Sequence, residues 1–340
     1  MEKMKMNKQT KNERILDMYV RLCEGKCIQK AEEALRFGVD ERSIQRDIDD
    51  IRAFLDDQEV GQSTHHRKVI YDRNSKGFRM TGIEETMMSN SEILAVSKIL
   101  LESRAFTKDE ISSILDKLIA GCTPQENMKL VTELVANEKY HYVDLHDKSS
   151  IQDRLWELGN EIRECNLLEL TYERVLPQKS VVKRTVEPVA VLFSEYYFYL
   201  IAYITKKEDE KYVQAYSYPA VFRIDRIQSY RRLEEKFKIA YADRFQEGEF
   251  RKRVQFMFPG KLIKLQLRCE TSAIDAVLDR LPTAQIVKQE ENGAVIEAEV
   301  YGKGIMMWLL SQGSAIEILK PAALREEMKE KLQEMLKKYE

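Results

Sequence analysis

A run of cations and amides near the amino terminus is spaced like one face of a helix. Four apolar residues fall on the other face at helical spacing: Ile44, Ile48, Ile51 and Leu55. The polar face carries side chains suited to phosphates and base edges in a DNA major groove: Arg42, Ser43, Gln45, Arg46 and Arg52. Acidic residues interleave with these arginines, at Asp47, Asp49 and Asp50, so an ordinary solvated helix face remains the alternative on periodicity alone.

A second group of cations lies among tyrosines in the last half of the chain. Its members are Tyr172, Lys183, Arg184, Tyr199, Arg223 and Arg226, with Tyr197 on the same predicted strand as Tyr199. Cations hold phosphates, and aromatic rings stack on bases for about 1 to 3 kcal/mol each. The group therefore indicates a binding site for an anionic ligand. The alternatives are that Tyr199 lies in the core and that Arg226 pairs with Asp225 or another carboxylate.

The composition limits the classes of function. The 340 residues include 57 acidic and 55 basic side chains, a formal net charge of -2, so contacts with nucleic acid must come from local patches. No apolar stretch approaches the roughly 18 residues of a membrane span. The amino terminus lacks a secretory signal pattern, and the cysteines and histidines show no metal-binding spacing. We expect a cytoplasmic protein without a metal or cofactor.

The elements that position the first group are three predicted helices and a hairpin. The helices run from Asn12 to Gly25, from Ile28 to Phe37, and onward from Asp40, which is placed to act as an N-cap. Two β-prone runs follow, and the polar turn between them carries Arg73 and Lys76. This order predicts a winged helix-turn-helix over residues 1–82, with both turn cations against the DNA backbone.

Residues 83–165 are predicted to form a helical connector. Ser89 and Thr107 each begin a Ser/Thr-x-x-Glu capping box before an apolar helical pattern. Further helices are predicted after Pro124 and from Ser150 to Cys165. The connector is either a packed spacer or an element that dimerises and transmits a signal between domains, and these two interpretations are compatible.

Residues 166–240 change to β-strand periodicity. Runs rich in β-branched and aromatic residues predict five short strands and hence a small Sm/SH3-like barrel. The predicted strands are Leu168 to Tyr172, Thr185 to Phe193, Tyr197 to Ile204, Val213 to Tyr218, and Val221 to Ile227.

Two motifs in this region resemble the WYL domain family. The name-giving Trp-Tyr-Leu corresponds to Phe198-Tyr199-Leu200, with Phe in place of Trp, and the Phe-Arg-Leu-Asp-Arg-Ile motif corresponds to the run from Phe222 to Ile227. The family often has an Arg where this chain has Ala220, so one possible ligand contact is missing. The resemblance implies a ligand-sensing domain of bacterial transcription regulators, with a nucleic acid or nucleotide as ligand.

Two further resemblances flank this domain. The run from Ser43 to Ile48 resembles the recognition-helix motif of DeoR and YafY-like regulators. Residues 250–340, including the run from Gly304 to Gly313, resemble the extension that commonly follows WYL domains. Its predicted order is strand, helix, strand, strand, helix, strand and helix, a ferredoxin-like α/β fold.

The sequence as a whole predicts an α+β protein that acts as a sequence-specific, homodimeric transcription regulator on double-stranded DNA. The chain has no Gly-rich phosphate loop and no recognisable catalytic triad, so we do not expect an enzyme. The alternative is a nucleic-acid-binding adaptor, or a defence-associated regulator without a small-molecule effector.

Overall fold

The computed structural model describes residues 10–59, 67–82, 88–123, 125–145, 151–175, 180–209, 211–238 and 244–340. Helices and antiparallel sheets both occur, as the predicted α+β class requires. The chain divides into two compact units, Met1–Asp144 and Leu145–Glu340. The finer division into four domains stays a prediction.

The amino-terminal unit begins with the predicted helices and hairpin. Their bounds are α1 Lys11–Cys23, α2 Lys30–Phe37, α3 Glu41–Glu59, β1 Lys68–Asp72 and β2 Gly77–Thr81. The apolar stripe of α3 is buried together with Met18, Leu22, Ile28 and Phe78. The Asp40 carboxylate accepts a hydrogen bond of 2.6 Å from the Ser43 N–H, as expected of an N-cap.

The hairpin is fastened to the start of α2 by backbone contacts. Ile28 and Phe78 exchange two backbone hydrogen bonds, each 2.8 Å long. At Gly77 an added Cβ would lie 2.3 Å from Cys27 Sγ and 2.9 Å from the Ile28 carbonyl oxygen. Only glycine allows this approach, so the hairpin position depends on Gly77.

Ion pairs join α1 to α3. The Arg14 Nε lies 2.5 Å from the Asp47 Oδ2, and both side chains are buried. Lys11 and Asp50 form a parallel but exposed pair at 2.7 Å. Asp47 and Asp50 are therefore paired with α1, and the outer face of α3 is less acidic than its sequence indicates.

Three further helices are described in this unit: α4 Asn90–Ser103, α5 Lys108–Cys122 and α6 Gln125–Tyr140. Both predicted capping boxes are present, with Ser89 and Thr107 each accepting from the backbone N–H of a glutamate that reaches back to the cap. Ile93, Leu115 and Val131 lie at the centre of the helices' shared core.

The carboxyl-terminal unit opens with a helix and a six-stranded antiparallel sheet. The bounds are α7 Gln152–Arg163, β3 Asn166–Arg174, β4 Ser180–Ser194, β5 Tyr197–Glu208, β6 Lys211–Gln214, β7 Ala220–Arg223 and β8 Ile227–Lys236. The strand order is β6-β5-β4-β3-β8, and β7 also pairs with β5. The strands described do not close on themselves, so the predicted barrel is not confirmed.

Three details of this sheet differ from the predicted strands. The strand predicted to reach Tyr218 ends at Gln214. The run from Val221 to Ile227 is interrupted by a 3₁₀ turn, Ile224–Arg226, which ends β7 and begins β8. The long strand β8 was not predicted at all.

Different helices cover the two faces of the sheet. Leu168, Leu170 and Leu200 pack with Leu158 of α7, so this helix belongs with the sheet although the sequence grouped it with the connector. On the other face Ile201 packs with Phe250 of a helix that was not predicted, α8 Glu247–Arg253.

The rest of the chain has the predicted order of strands and helices. The bounds are β9 Leu262–Glu270, α9 Ile274–Arg280, β10 Gln285–Glu290, β11 Gly293–Tyr301, α10 Gly304–Ser311, β12 Ile316–Lys320 and α11 Ala322–Leu336. The antiparallel sheet has the order β10-β11-β9-β12. Leu267, Val277, Ile296 and Trp308 lie in one core, so this segment packs around its own centre.

Candidate nucleic-acid and anion sites

The outer face of α3 presents two exposed arginines. Arg42 and Arg46 are exposed, while Ser43 and Gln45 are half-buried. The Gln45 Nε2 donates a hydrogen bond of 3.0 Å to the Asp49 Oδ1. Gln45 must give up this bond before it can contact a base, whereas the two arginines are already accessible to an approaching phosphate.

Arg52 lies on the same helix but contacts the hairpin. Its Nε donates to the Val69 carbonyl oxygen at 2.8 Å, and its guanidinium carbon lies 5.2 Å from the centre of the Phe78 ring. Its Nη1 also lies 3.3 Å from the Asp49 Oδ1. Arg52 therefore joins α3 to the hairpin, and a direct DNA contact by Arg52 stays a prediction.

The hairpin turn is ordered by a single carboxylate. Asp72 accepts hydrogen bonds from the Ser75 hydroxyl at 2.6 Å and from the Asn74 N–H at 2.9 Å. These bonds, that from the Ser75 hydroxyl above all, hold the pKa of Asp72 below its usual value. Arg73 and Lys76 are exposed on this turn, on the same hairpin that Arg52 connects to α3.

In the second unit, Arg223 lies at the end of β7 in a half-buried ion pair. Its Nε donates to the Asp225 Oδ1 at 3.1 Å, and its Nη2 makes a short contact with the other carboxylate oxygen. The guanidinium lies 3.3 Å from the centre of the Tyr197 ring. Only 15% of the Arg223 side chain and 12% of the Asp225 side chain are exposed. Burial lowers the pKa of Arg223, but the bond and charge of Asp225 outweigh it, so the pKa is raised.

Tyr199 has features of both a ligand contact and a core residue. It is the register partner of Arg223 on β5, and it also packs against the cluster around Ile201 and Phe250. Burial raises its pKa, and the positive charges of Arg223 and Arg226 oppose that rise. Arg226 is thus near Tyr199, whereas the ion-pair partner of Asp225 is Arg223 and not Arg226.

The predicted ligand-binding residues do not all meet at one point. Strand alternation and register place Arg223 on the face of Tyr197 and Tyr199, and put Tyr172 and Arg184 on the face of α7. The Tyr172 hydroxyl still accepts a hydrogen bond of 3.3 Å from the Arg223 backbone N–H.

Lys183 and Arg184 lie apart from the Arg223 pair. Lys183 is exposed on β4, and Arg184 is half-buried with a 2.8 Å bond from its Nη1 to the Lys183 carbonyl oxygen. Two residues outside the predicted set, Tyr197 and Asp225, complete the environment of Arg223. The two-residue spacing of Tyr197 from Tyr199 was the available signal, since strand residues two apart share a face. Asp225 lies on a 3₁₀ turn, which strand alternation does not predict.

The described residues contain neither a metal-binding cluster nor a membrane-spanning helix. Over the ranges given above, no group of three or more His, Cys, Asp or Glu side chains is arranged to hold a metal ion. Among the described helices, none is long and apolar enough to cross a bilayer.

The carboxyl-terminal unit thus has two consecutive parts. The first is an antiparallel sheet that carries the cluster of cations and aromatic rings, and the second is an α/β segment with its own core. Family models identify both: a WYL domain matches residues 155–232, and a WCX domain matches residues 261–336. The chain therefore contains a WYL domain followed by a WCX domain, and the resemblance seen in the sequence is confirmed. The WYL match includes most of α7, in agreement with its packing on the sheet.

Solved structures give weaker likenesses. Proteasome accessory factor B/C (PafBC) of Arthrobacter aurescens matches over 95% of this chain with 16% identity and a TM-score of 0.32. This chain spans about half, 48%, of the PafBC chain. A CRISPR Cas-related protein matches over 83% of this chain and 76% of its own, with 16% identity and a TM-score of 0.36. No curated protein matches the sequence.

Proposed function

We propose that this protein is a DNA-binding transcription regulator whose WYL domain senses an anionic ligand, a nucleic acid or a nucleotide. The amino-terminal helices and hairpin act as a winged helix-turn-helix, and the chain has no catalytic activity. The observation that carries the proposal is the outer face of α3, where Arg42 and Arg46 are exposed while Asp47 and Asp50 are paired with α1.

The arrangement suits a recognition helix in a major groove. Half or more of the hydrogen bonds in such complexes go to the phosphate backbone, and exposed arginines supply them. Gln45 lies between the two arginines along α3 and can present its amide to an adenine edge once Asp49 releases it. Arg73 and Lys76 on the hairpin supply further contacts to the backbone.

The sensing role rests on the environment of Arg223. A guanidinium is suited to phosphate because its N–H groups form a planar fork. Arg226 adds a second positive charge close to Tyr199, and Tyr197 provides an aromatic face beside Arg223. An anion with an attached base therefore fits this cluster better than a neutral metabolite does.

We further propose that the regulator works in the cytoplasm as a homodimer on an inverted repeat. One short recognition helix contacts few base pairs, and two half-sites multiply the specificity. A nucleic-acid-binding adaptor without a promoter target is the second candidate, since the same cations would bind any duplex.

Selection of genomic DNA fragments by the full chain separates the two candidates. A regulator enriches a small set of fragments that share an inverted repeat, and sedimentation of the complex gives two chains per repeat. Fragments recovered in proportion to their abundance would contradict the regulator and favour the adaptor. One chain per site would contradict the homodimer.

A further inference from the structure

In the WYL domain, the guanidinium of Arg223 is already paired with the carboxylate of Asp225. Two N–H groups of Arg223 are directed at the two oxygens of the Asp225 carboxylate, and Tyr197 covers a face of the guanidinium. With 15% of the Arg223 side chain exposed, a phosphate has little room to approach while the carboxylate stays in place. We propose that Asp225 is a built-in competitor for the anion at Arg223, and that an anion binds by taking the place of the Asp225 carboxylate.

The competition follows from the covalent connection between the two residues. Asp225 follows Arg223 by two positions, so its carboxylate reaches the guanidinium without the loss of translational freedom that a free anion must overcome. Carboxylate and phosphate match the same fork of N–H groups, so they exclude each other at that edge. A weakly held anion therefore leaves the ion pair intact.

Displacement has a structural consequence because Asp225 lies on the 3₁₀ turn Ile224–Arg226. Arg154 of α7 holds this turn at two points. Its Nη1 donates to the Ile224 carbonyl oxygen at 3.2 Å and to the Ile227 carbonyl oxygen at 2.6 Å. When the carboxylate leaves Arg223, the turn loses that attachment, while the two bonds from Arg154 still connect it to α7. Arg154 is thus a positioning residue that links the anion site to the first helix of the unit.

The inference rests on the proposed sensing function, and the test keeps the two apart. Binding of inorganic pyrophosphate and of a short oligothymidylate to the full chain is measured by calorimetry for wild type, Asp225→Asn, Arg223→Ala and the double variant. Asp225→Asn keeps the side-chain shape and removes the charge. The matched control is Glu169→Gln, which removes one carboxylate from the same sheet, where Glu169 pairs with the exposed Arg231 at 3.3 Å.

We expect Asp225→Asn to bind pyrophosphate about tenfold more tightly than wild type or better, because a charged hydrogen-bonding rival has been removed. Glu169→Gln should change the affinity by less than about twofold, since the two changes alter net charge equally. The double variant should show no gain over Arg223→Ala. Far-ultraviolet circular dichroism of each variant confirms that the fold persists.

Three results would overturn the inference: equal affinities for Asp225→Asn and Glu169→Gln, a gain that persists without Arg223, or no pyrophosphate binding by Asp225→Asn. The sensing proposal is judged separately, on the oligothymidylate. If wild type binds it and Arg223→Ala does not, the anion site stands even where Asp225→Asn shows no gain. If both bind it equally, the site is not at Arg223.

Discussion

The arginines of α3 and the arginine of β7 are the same residue type in opposite environments. Arg42 and Arg46 are exposed, so a phosphate can approach them from solvent. Arg223 is half-buried, stacked on Tyr197 and paired with Asp225, so a phosphate must first displace a carboxylate. The first environment favours fast, salt-dependent binding to any duplex, and the second favours a response that depends on which anion is present.

The acidic residues explain the contrast. On α3, Asp47 and Asp50 pair with α1, where Asp47 is buried against Arg14, while Asp49 stays on the outer face and accepts a hydrogen bond from Gln45. In the WYL domain the carboxylate lies on the same short segment as the arginine that it neutralises. Ion pairing therefore leaves Arg42 and Arg46 accessible on α3, whereas it occupies Arg223 in the WYL domain.

The largest expected effect comes from removing the buried ion pair between Arg14 and Asp47. Arg14→Met should lower the free energy of opening of α3 by about 3 to 5 kcal/mol, because it leaves a buried charge without a partner. Hydrogen exchange of the buried α3 amides in the full chain measures this opening. Lys11→Met is the matched control, since the exposed pair with Asp50 also joins α1 to α3 and should contribute about 1 kcal/mol or less. Equal effects of the two variants would remove the special role of Asp47.

The next largest effect is expected for Arg154, which connects the turn beside Arg223 to α7. Arg154→Met should leave oligothymidylate binding intact and reduce the effect of that ligand on operator affinity, a coupling expected to be about 5- to 150-fold in wild type. Arg163→Met on the same helix is the control, because Arg163 pairs only with the adjacent exposed Glu164 among the residues described. If both variants keep the full coupling, Arg154 does not transmit the signal.

A smaller effect is expected for a single exposed arginine. Arg46→Ala should weaken operator binding about tenfold and lower the slope of log affinity against log salt concentration by about one unit, since one phosphate contact is lost. Affinity titrations over a salt series measure both quantities. Arg36→Ala provides the comparison, because Arg36 lies on α2 and is already paired with Asp17 at 3.3 Å. An unchanged slope for Arg46→Ala would exclude that phosphate contact.

The smallest effect is expected at the residue assigned to reading a base. Gln45→Ala should lower the ratio of specific to nonspecific affinity by about fivefold, near the lower end for a base contact, because the amide must first leave Asp49. Competition between operator and random duplex gives the ratio. A ratio equal to that of wild type would remove Gln45 from base recognition.

The parts of the fold that the sequence predicted are those set by local chemistry. The stripe from Ile44 to Leu55 repeats at helical spacing, and the two capping boxes each join residues three apart. Strand β8 was missed because only Ile227 is buried and the rest of its side chains are exposed or half-buried, so no alternating apolar pattern marks it. Its place in the sheet comes from pairing with β3, some sixty positions earlier.

The candidate sites follow the same rule. The exposed arginines of α3 were predicted because one helix face determines them. The pairing of Arg14 with Asp47 spans 33 positions and depends on how α1 packs on α3, which periodicity does not specify. The sequence predicted one continuous strand from Val221 to Ile227, whereas the structure has a 3₁₀ turn at Ile224–Arg226. The pairing of Asp225 with Arg223 depends on this turn, so the sequence did not predict it.

We infer that an anion at Arg223 controls DNA binding by α3. The direct test is the ratio of operator affinities with and without saturating oligothymidylate, measured for wild type and for Arg223→Ala at one salt concentration. We predict a ratio of about 5 to 150 for wild type, in either direction, and a ratio near one for Arg223→Ala. Equal ratios in the two proteins, at any value, would contradict the claim.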